Sequence, residues 1–307
     1  MTPATFLSIL IPVYNYNVAP LLHRLHEQCL QVSEGSEIEI LAADDGSVEK
    51  FNNVSEAEKL SLVCYHELDE NVGRSAIRNY LLSLSRGSYV LFLDADMMPD
   101  HDNFVQTYFD LAQNGAEIVC GGISYQQYDH RDPSASFYLY KSQKTEVLSA
   151  AARNKSPWRY FFTSNILIRS DIIKNINFDQ QFKGYGYEDI EWGIRLAKSY
   201  VIRHIDNTCS HLGVMGKDQA FCNMRDSIAN YALLHQLHPK ETENVGAMRL
   251  AGIIQYLPDA LLSFADVLFR YLYAALSWNW FLFVVFQSDK VILLARKLKK
   301  LQEVIRE

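Results

Sequence analysis

The sequence predicts an α/β fold: a mostly parallel central sheet flanked by helices, with a helical extension at the C-terminus. Three observations carry the prediction. Short, nearly continuous apolar runs recur, beginning with Phe6–Tyr14 (FLSILIPVY), as expected of strands covered on both faces. Stretches with helical spacing alternate with these runs. Three runs end in polar clusters, Tyr14-Asn15, Asp44-Asp45 and Asp94–Asp96, and open parallel sheets bind ligands beyond the carboxyl ends of their strands.

Taken in order, Phe6–Tyr14 is the first strand and Val18–Leu30 a helix. Glu37–Ala43 is the second strand, followed by Asp44, Asp45, Gly46 and Ser47, a good turn sequence in its own right. Leu60–His66 is the third strand. In NVGRSAIRNYLLSLSRGSYVLFLDAD, the residues Ala76, Ile77, Tyr80, Leu81 and Leu84 form a helical stripe. Gly87 is placed to end that helix, and Tyr89–Leu93 is the next strand. The polar, irregular stretch from Tyr125 to Trp158 reads as a mobile connection. Ser164–Arg169 reads as a strand, Glu188–Ser199 as a helix and Val201–Ile205 as a strand, with helices filling the chain from Lys217 onward.

Near the end, Tyr271–Phe286 is apolar and aromatic but short of the roughly 20 residues a spanning helix needs. The basic amphipathic KVILLARKLKKLQEVIR follows it. Two readings stand: peripheral contact with the inner face of a membrane through residues 258–304, or a helical hairpin packed on the core or on the second subunit of a homodimer. Residues 1–125, 126–245 and 246–307 are the expected divisions.

The totals set limits. With 307 residues, 49% of them hydrophobic, the chain supports one large domain or a core domain with an attachment. A net charge of −7 disfavours a general nucleic-acid binder. Five widely spaced cysteines without a CxxC pair argue against a disulfide framework or zinc knuckle and fit a reducing cytoplasm. No basic stretch with a cleavage site follows MTPAT, so no signal peptide is expected.

The stretch LFLDADMMPD places Asp94 and Asp96 two apart at a strand end. In extended chain both point to one side, where they repel unless a divalent cation relieves the cost. Oxygen ligands suit magnesium or manganese, ions that bridge to substrate phosphates. The simpler alternative is that one acid caps a helix starting near Asp102 and the other is merely exposed.

SILIPVYN, ADDGS, NVGRSAIRN and LDAD, in this order and spacing, resemble glycosyltransferase family 2 with the GT-A fold, densely over roughly the first hundred residues. GYGYEDIEWGIRL (Gly184–Leu196) resembles the acceptor-side motif of the same superfamily, and SHLG (Ser210–Gly213) falls where many members carry a metal-binding histidine. The resemblance implies a metal-dependent, inverting transferase using Mn2+ or Mg2+. Its donor would be a UDP-sugar carrying a hexose or N-acetylhexosamine. Its acceptor would be a hydroxyl of a glycan or lipid-linked saccharide in surface polysaccharide synthesis.

On that reading, Pro12, Tyr14 and Asn15 meet the nucleotide at the first strand end. Asp45, chosen over Asp44, accepts a hydrogen bond from the uracil ring. Asn71 and Gly73, at a helix start, favour an anion or polar ligand edge. Arg78 contacts the nucleotide or pairs internally with Asp45 or Asp94. Asp94, beside Ala95, reaches the ribose or the metal. Asp96 and His211 complete the ligand set. Asp189 is the general base and Glu188 orients the acceptor or the base, although two acids at a helix N-terminus are also favoured without any catalytic role. The Gly184–Gly186 loop is expected to shift on donor binding. Lys217 reaches a phosphate or solvent, Glu191 and Arg195 pair on the helix surface, and Trp192 stands in the acceptor wall. The competing readings are a retaining GT-A enzyme, a sugar-phosphate nucleotidyltransferase, which would need a Gly-rich loop that does not follow Tyr14, and a non-catalytic nucleotide- or carbohydrate-binding module.

Overall fold

The structure is a computed structural model, which describes residues 6–32 and 38–306. The chain begins β1 (Leu7–Val13), α1 (Ala19–Gln31), β2 (Ile38–Asp44), α2 (Asn53–Ala57), β3 (Val63–Glu67), α3 (Arg74–Leu84) and β4 (Tyr89–Leu93). It continues through β5 (Met97–Pro99), α4 (Phe104–Gln113), β6 (Ile118–Cys120), β7 (Ile123–Ser124), α5 (Ser136–Thr145) and α6 (Ala150–Arg153). Then come β8 (Asn165–Arg169), α7 (Ser170–Asn175), α8 (Glu188–Ala197), β9 (Ile202–His204) and β10 (Cys209–His211). Six helices close the chain: α9 (Lys217–Asp226), α10 (Ile228–Leu237), α11 (Pro239–Thr242), α12 (Gly246–Ile254), α13 (Asp259–Ala275) and α14 (Asn279–Arg306). Glu37, expected to open the second strand, lies outside the described residues.

The chain divides into two compact units and passes between them several times. Unit 1 comprises residues 1–128, 146–180 and 192–213; unit 2 comprises residues 129–145, 181–191 and 214–307.

Unit 1 is built on a seven-stranded sheet of order β3-β2-β1-β4-β8-β6-β9. It is parallel except where β8 runs against β4 and β6. The apolar runs are continuous because both faces are covered. Leu7, Ile9, Ile11 and Val13 of β1 belong to one core cluster with α1 and α4 residues, while Leu10 joins Val90 and Phe92 in the cluster on the opposite face. A three-stranded sheet, β5-β10-β7, adjoins the end of β4 in sequence, with His211 of β10 opposite Met97 of β5.

Unit 2 is helical. Phe137, Phe221, Tyr273, Leu282 and Phe286 form its core, with the Phe221 and Tyr273 rings stacked at 4.1 Å. Helices α13 and α14 run antiparallel: Lys299 binds Asp259 (2.6 Å), Arg296 binds Asp266 (2.5 Å), and Tyr273 packs near Phe286.

Several expectations need correcting. The stretch from Tyr125 to Trp158 is not a loose connection, for it contains α5 and α6 and buries Arg153. Helix α3 is capped at Ser85, and Gly87 serves another purpose: a Cβ there would stand 2.7 Å from the Ser8 backbone nitrogen of β1. Glu191 is not on a helix surface but buried, 3.1 Å from His238 Nε2. Trp192 lines no acceptor wall; it is fully buried among Phe92, Phe161 and Phe178, with its ring N–H donated to the Ile176 carbonyl (2.6 Å). Lys217 donates to the Leu276 carbonyl (3.2 Å).

Candidate active site

The carboxyl ends of β1, β2 and β4 converge on a cleft of about 170 Å3 in unit 1. Pro12, Tyr14, Asp45, Arg78, Asp94, Ala95 and Asp96, all expected on sequence grounds, line it together with Val13, Tyr16, Arg74 and Ile77. A parallel sheet brings these residues together because every strand delivers its following loop to the same edge.

The turn after β2 is held by its own side chains. Gly46 sits at φ +67°, and a Cβ there would stand 2.5 Å from the Glu70 carbonyl carbon, so the position requires glycine twice over. Asp44 accepts from the Ser47 backbone N–H (2.6 Å). Asn15, itself at φ +48°, accepts from the backbone N–H groups of Val48 (2.9 Å) and Glu49 (3.0 Å). Its side chain is thus engaged in fixing the turn, and Asn15 does not line the cleft. Asp45 accepts from the Val72 (2.7 Å) and Gly73 (3.0 Å) N–H groups. The anion at the start of α3 is therefore the protein's own carboxylate. Burial raises the Asp45 carboxyl above its ordinary value, against the pull of these two donors. Asn71 is exposed, and its backbone passes over Gly46.

Arg78 is buried and donates to Asp94 Oδ1 at 2.7 Å, the internal pairing that the sequence left open. This engages one Asp94 oxygen and leaves Asp96 as the acid directed elsewhere. Asp96 Oδ2 lies 3.1 Å from His211 Nε2, across 115 residues of sequence. The contact follows from the small sheet: β10 pairs with β5 immediately after Asp96, and the Leu212 N–H donates to the Asp96 carbonyl at 2.8 Å. Burial alone would raise the Asp96 carboxyl, but the hydrogen bond and charge of His211 outweigh it and hold the group below its ordinary value. Burial likewise works to lower the His211 imidazole, and Asp96, with Glu146 and Asp94, prevails and raises it.

Carboxylate and imidazole are donors that manganese accepts. No group of three His, Cys, Asp or Glu side chains that could hold a metal occurs among the described residues. The Asp96–His211 pair therefore fits a cation only if substrate or water oxygens supply the remaining positions, as is usual for ions that bridge to phosphates.

Glu188 and Asp189 open α8 in unit 2, with Glu188 buried. The preceding loop has Gly184, Gly186 and Tyr187 at positive φ (+81°, +80° and +74°). A non-glycine residue in this region costs about 1–3 kcal/mol, so surrounding structure must hold it. The Tyr187 ring stacks on Tyr231 (4.4 Å, 11°), the Lys290 ammonium lies over both rings, and the Asn230 amide donates to the carbonyls of Lys183 (3.1 Å) and Gly186 (2.9 Å).

Two further residues matter that sequence reasoning missed. Asp100 accepts from Ser124, Thr208 and Ser210 hydroxyls, each at 2.6 Å, and from Gln127 (3.0 Å), locking together the sheet that presents His211. It stands four residues after Asp96 in the same stretch and has no signal of its own. Arg153 donates to the carbonyls of Leu148 (3.0 Å) and Ile205 (2.7 Å) and faces His204 Nδ1 at 2.8 Å. In sequence it looks like one more surface charge.

A parallel sheet crossed by one antiparallel strand, with acids at its strand ends and a small second sheet presenting a histidine to one of them, is the GT-A architecture of glycosyltransferases. The chain belongs to glycosyl transferase family 2, whose model matches residues 8–176, from β1 through α7. It is 26% identical over 234 residues to the chondroitin synthase of Pasteurella multocida, covering 65% of this chain but only 24% of that protein. The fold matches a mannosyltransferase from Pyrobaculum calidifontis solved in complex with GDP-Man and Mn2+ (TM-score 0.52, 15% identity, 98% of this chain and 88% of that one). It also matches the glucosyl-3-phosphoglycerate synthase of Mycobacterium tuberculosis in complex with Mn2+, UDP and glucosyl-3-phosphoglycerate (TM-score 0.52, 14% identity, 75% of this chain and 80% of that one).

Proposed function

We propose that this glycosyltransferase moves a hexose or N-acetylhexosamine from a UDP-sugar to a hydroxyl of a glycan or lipid-linked saccharide, with inversion, in surface polysaccharide synthesis. The observation that carries the reading is the Asp96–His211 pair at the edge of a cleft formed by three parallel strand ends. Asp96 and His211 would hold Mn2+ or Mg2+, which when bound offsets the charge gathering on the departing diphosphate. Pro12, Val13 and Tyr14 offer an edge to the base, and Asp45 retains acceptor capacity for the uracil N–H beyond its two backbone donors. Arg78 keeps Asp94 fixed toward the ribose. Asp189 takes the proton of the acceptor hydroxyl, and Glu188 orients it. Attack from the face opposite the leaving group inverts the anomeric centre.

Among the structural neighbours one complex holds Mn2+ with UDP and another Mn2+ with GDP-Man, which supports a metal-assisted nucleotide-sugar donor, and the chondroitin synthase supports a polysaccharide product. The enzyme meets its acceptor at the inner face of a membrane, reached through residues 258–304.

A donor screen tests this directly. UDP-, GDP- and dTDP-sugars are compared by nucleotide release with and without manganese. The expected result is manganese-stimulated UDP release that Asp96→Ala abolishes. Metal-independent release, or preference for another nucleotide, contradicts it. Product configuration by NMR separates inversion from retention.

A further inference from the structure

We infer that the outward face of α13, continued onto α12 and the start of α14, is a docking surface for an anionic lipid membrane. The inference rests on the membrane reading above and centres the contact on the apolar stripe of α13.

Helix α13 is apolar on both its inner and its outer face. Leu261, Phe264, Leu268 and Tyr271 recur at helical spacing and are exposed, Phe264 at 64% and Tyr271 at 70%. On its inner face Asp266 is buried and held by Arg225 (2.9 Å) and Arg296. Leu262 and Tyr273 are buried on the same inner face, so the helix fills the core of unit 2 from one side and still leaves large apolar side chains exposed on the other. Leu250, Ile253 and Tyr256 are likewise exposed in the chain before α13, and Trp278, Trp280 and Phe281 after it. From residue 250 to residue 284 the exposed charged side chains are Asp259 and Arg270, and Asp259 is neutralised by Lys299 (2.6 Å).

Two features favour lipid over a protein partner. Residues 246–306 contain eight Lys and Arg against four Asp and Glu, a surplus of four positive charges in a chain of net charge −7. Such a region is drawn to an anionic surface that repels the rest of the molecule. Tyrosine and tryptophan, side chains that settle at the lipid headgroup level, mark both ends of the stripe at Tyr256, Tyr271, Trp278 and Trp280. No described helix is long and apolar enough to cross a membrane, so the face lies on the bilayer. The basic segment of α14 is otherwise engaged: Leu294, Ala295 and Leu298 are buried, which leaves its charges, not its apolar side, for the headgroups.

The test is sedimentation of the full chain with phosphatidylglycerol-containing vesicles and with pure phosphatidylcholine vesicles. Binding is expected to the anionic vesicles, weakened roughly tenfold or more in F264E/L268E, which removes two exposed apolar contacts. It should weaken with added salt and in K297E/K300E. UDP release with a soluble acceptor should be unchanged in both variants. If the wild type ignores anionic vesicles, or F264E/L268E binds them equally well, the inference is overturned. A wild-type dimer that F264E/L268E turns into a monomer, without vesicle binding, makes the face a subunit interface and overturns it too. Vesicle binding without UDP release leaves the docking face standing and contradicts the donor reading alone.

Discussion

Replacing Gly213 by alanine should disable metal-dependent transfer while leaving the protein folded. An added Cβ would stand 2.9 Å from Asp96 Cγ and 3.1 Å from Asp96 Cβ, and closer still to the carboxylate oxygen that faces His211. Ordinary carbon–carbon contacts are about 3.5–4.0 Å, so something must retreat by the order of 1 Å. The backbone cannot easily do so. It is fixed by the pairing of His211 with Met97 and by the Leu212 N–H donated to the Asp96 carbonyl at 2.8 Å. The carboxylate must therefore swing away from His211. A misplacement of about 1 Å at a reacting centre can cost about 100-fold, and overpacking at one contact costs about 1–3 kcal/mol of stability. Manganese titrations of UDP release, with thermal unfolding alongside, are the assay. Gly216→Ala is the control, because a Cβ there meets nothing within 4 Å. If Gly213→Ala matches the wild type in rate and manganese dependence, the assigned geometry of Asp96 is wrong.

Four other outcomes are expected. Asp189→Asn should keep UDP and metal binding but reduce transfer by a factor of about 100 or more, measured by product formation at saturating donor; near-normal turnover removes it as the base. Asp100→Ala strands three hydroxyls and should cost roughly 2–4 kcal/mol in chemical denaturation, with weaker manganese dependence because His211 loses its support. Asn230→Ala should spare UDP binding and lower transfer about tenfold, since the loop leading to Glu188 and Asp189 loses its amide donors; equal rates would show the loop holds itself. His204 provides the pH test. Burial pushes its imidazole down to about 4, Nδ1 facing the Arg153 guanidinium and Nε2 donating to the Pro157 carbonyl (2.9 Å). With the unfolded value near 6.5, only the unfolded chain takes up this proton between the two values. Stability should therefore fall as pH drops from about 6.5 to 4, by up to roughly 3 kcal/mol, and His204→Gln should flatten that profile; an unchanged slope in the variant rejects the assignment.

The central strands were legible because burial on both faces leaves an unbroken apolar signal. Acids at the ends of such strands are conspicuous for the same reason. The link between Asp96 and His211 is of another kind. Nothing local to either residue announces a contact 115 positions apart, and only the order of motifs suggested it. Short elements were lost: Ile118–Cys120 and the single turn of α6 are too brief for any period to show, and α5 mixes polar and aromatic residues without a clear stripe. Arg153 and Asp100 read as ordinary surface charges, because the partners that hold them come from distant chain segments. Trp192 and Glu191 were misplaced for the converse reason: the motif placed one in an acceptor wall, the spacing to Arg195 placed the other on the helix surface, and the helix turns both into the interior. Asn15 and Gly73 were found by position, but the structure engages them in the turn after β2.

The most direct measurement is the calorimetric affinity of UDP with and without manganese, in the wild type, Asp96→Ala and His211→Ala. Manganese should tighten UDP binding strongly in the wild type and have little effect in either variant. If the two variants show the wild-type enhancement, the carboxylate–imidazole pair does not hold the cation, and the account of this site fails.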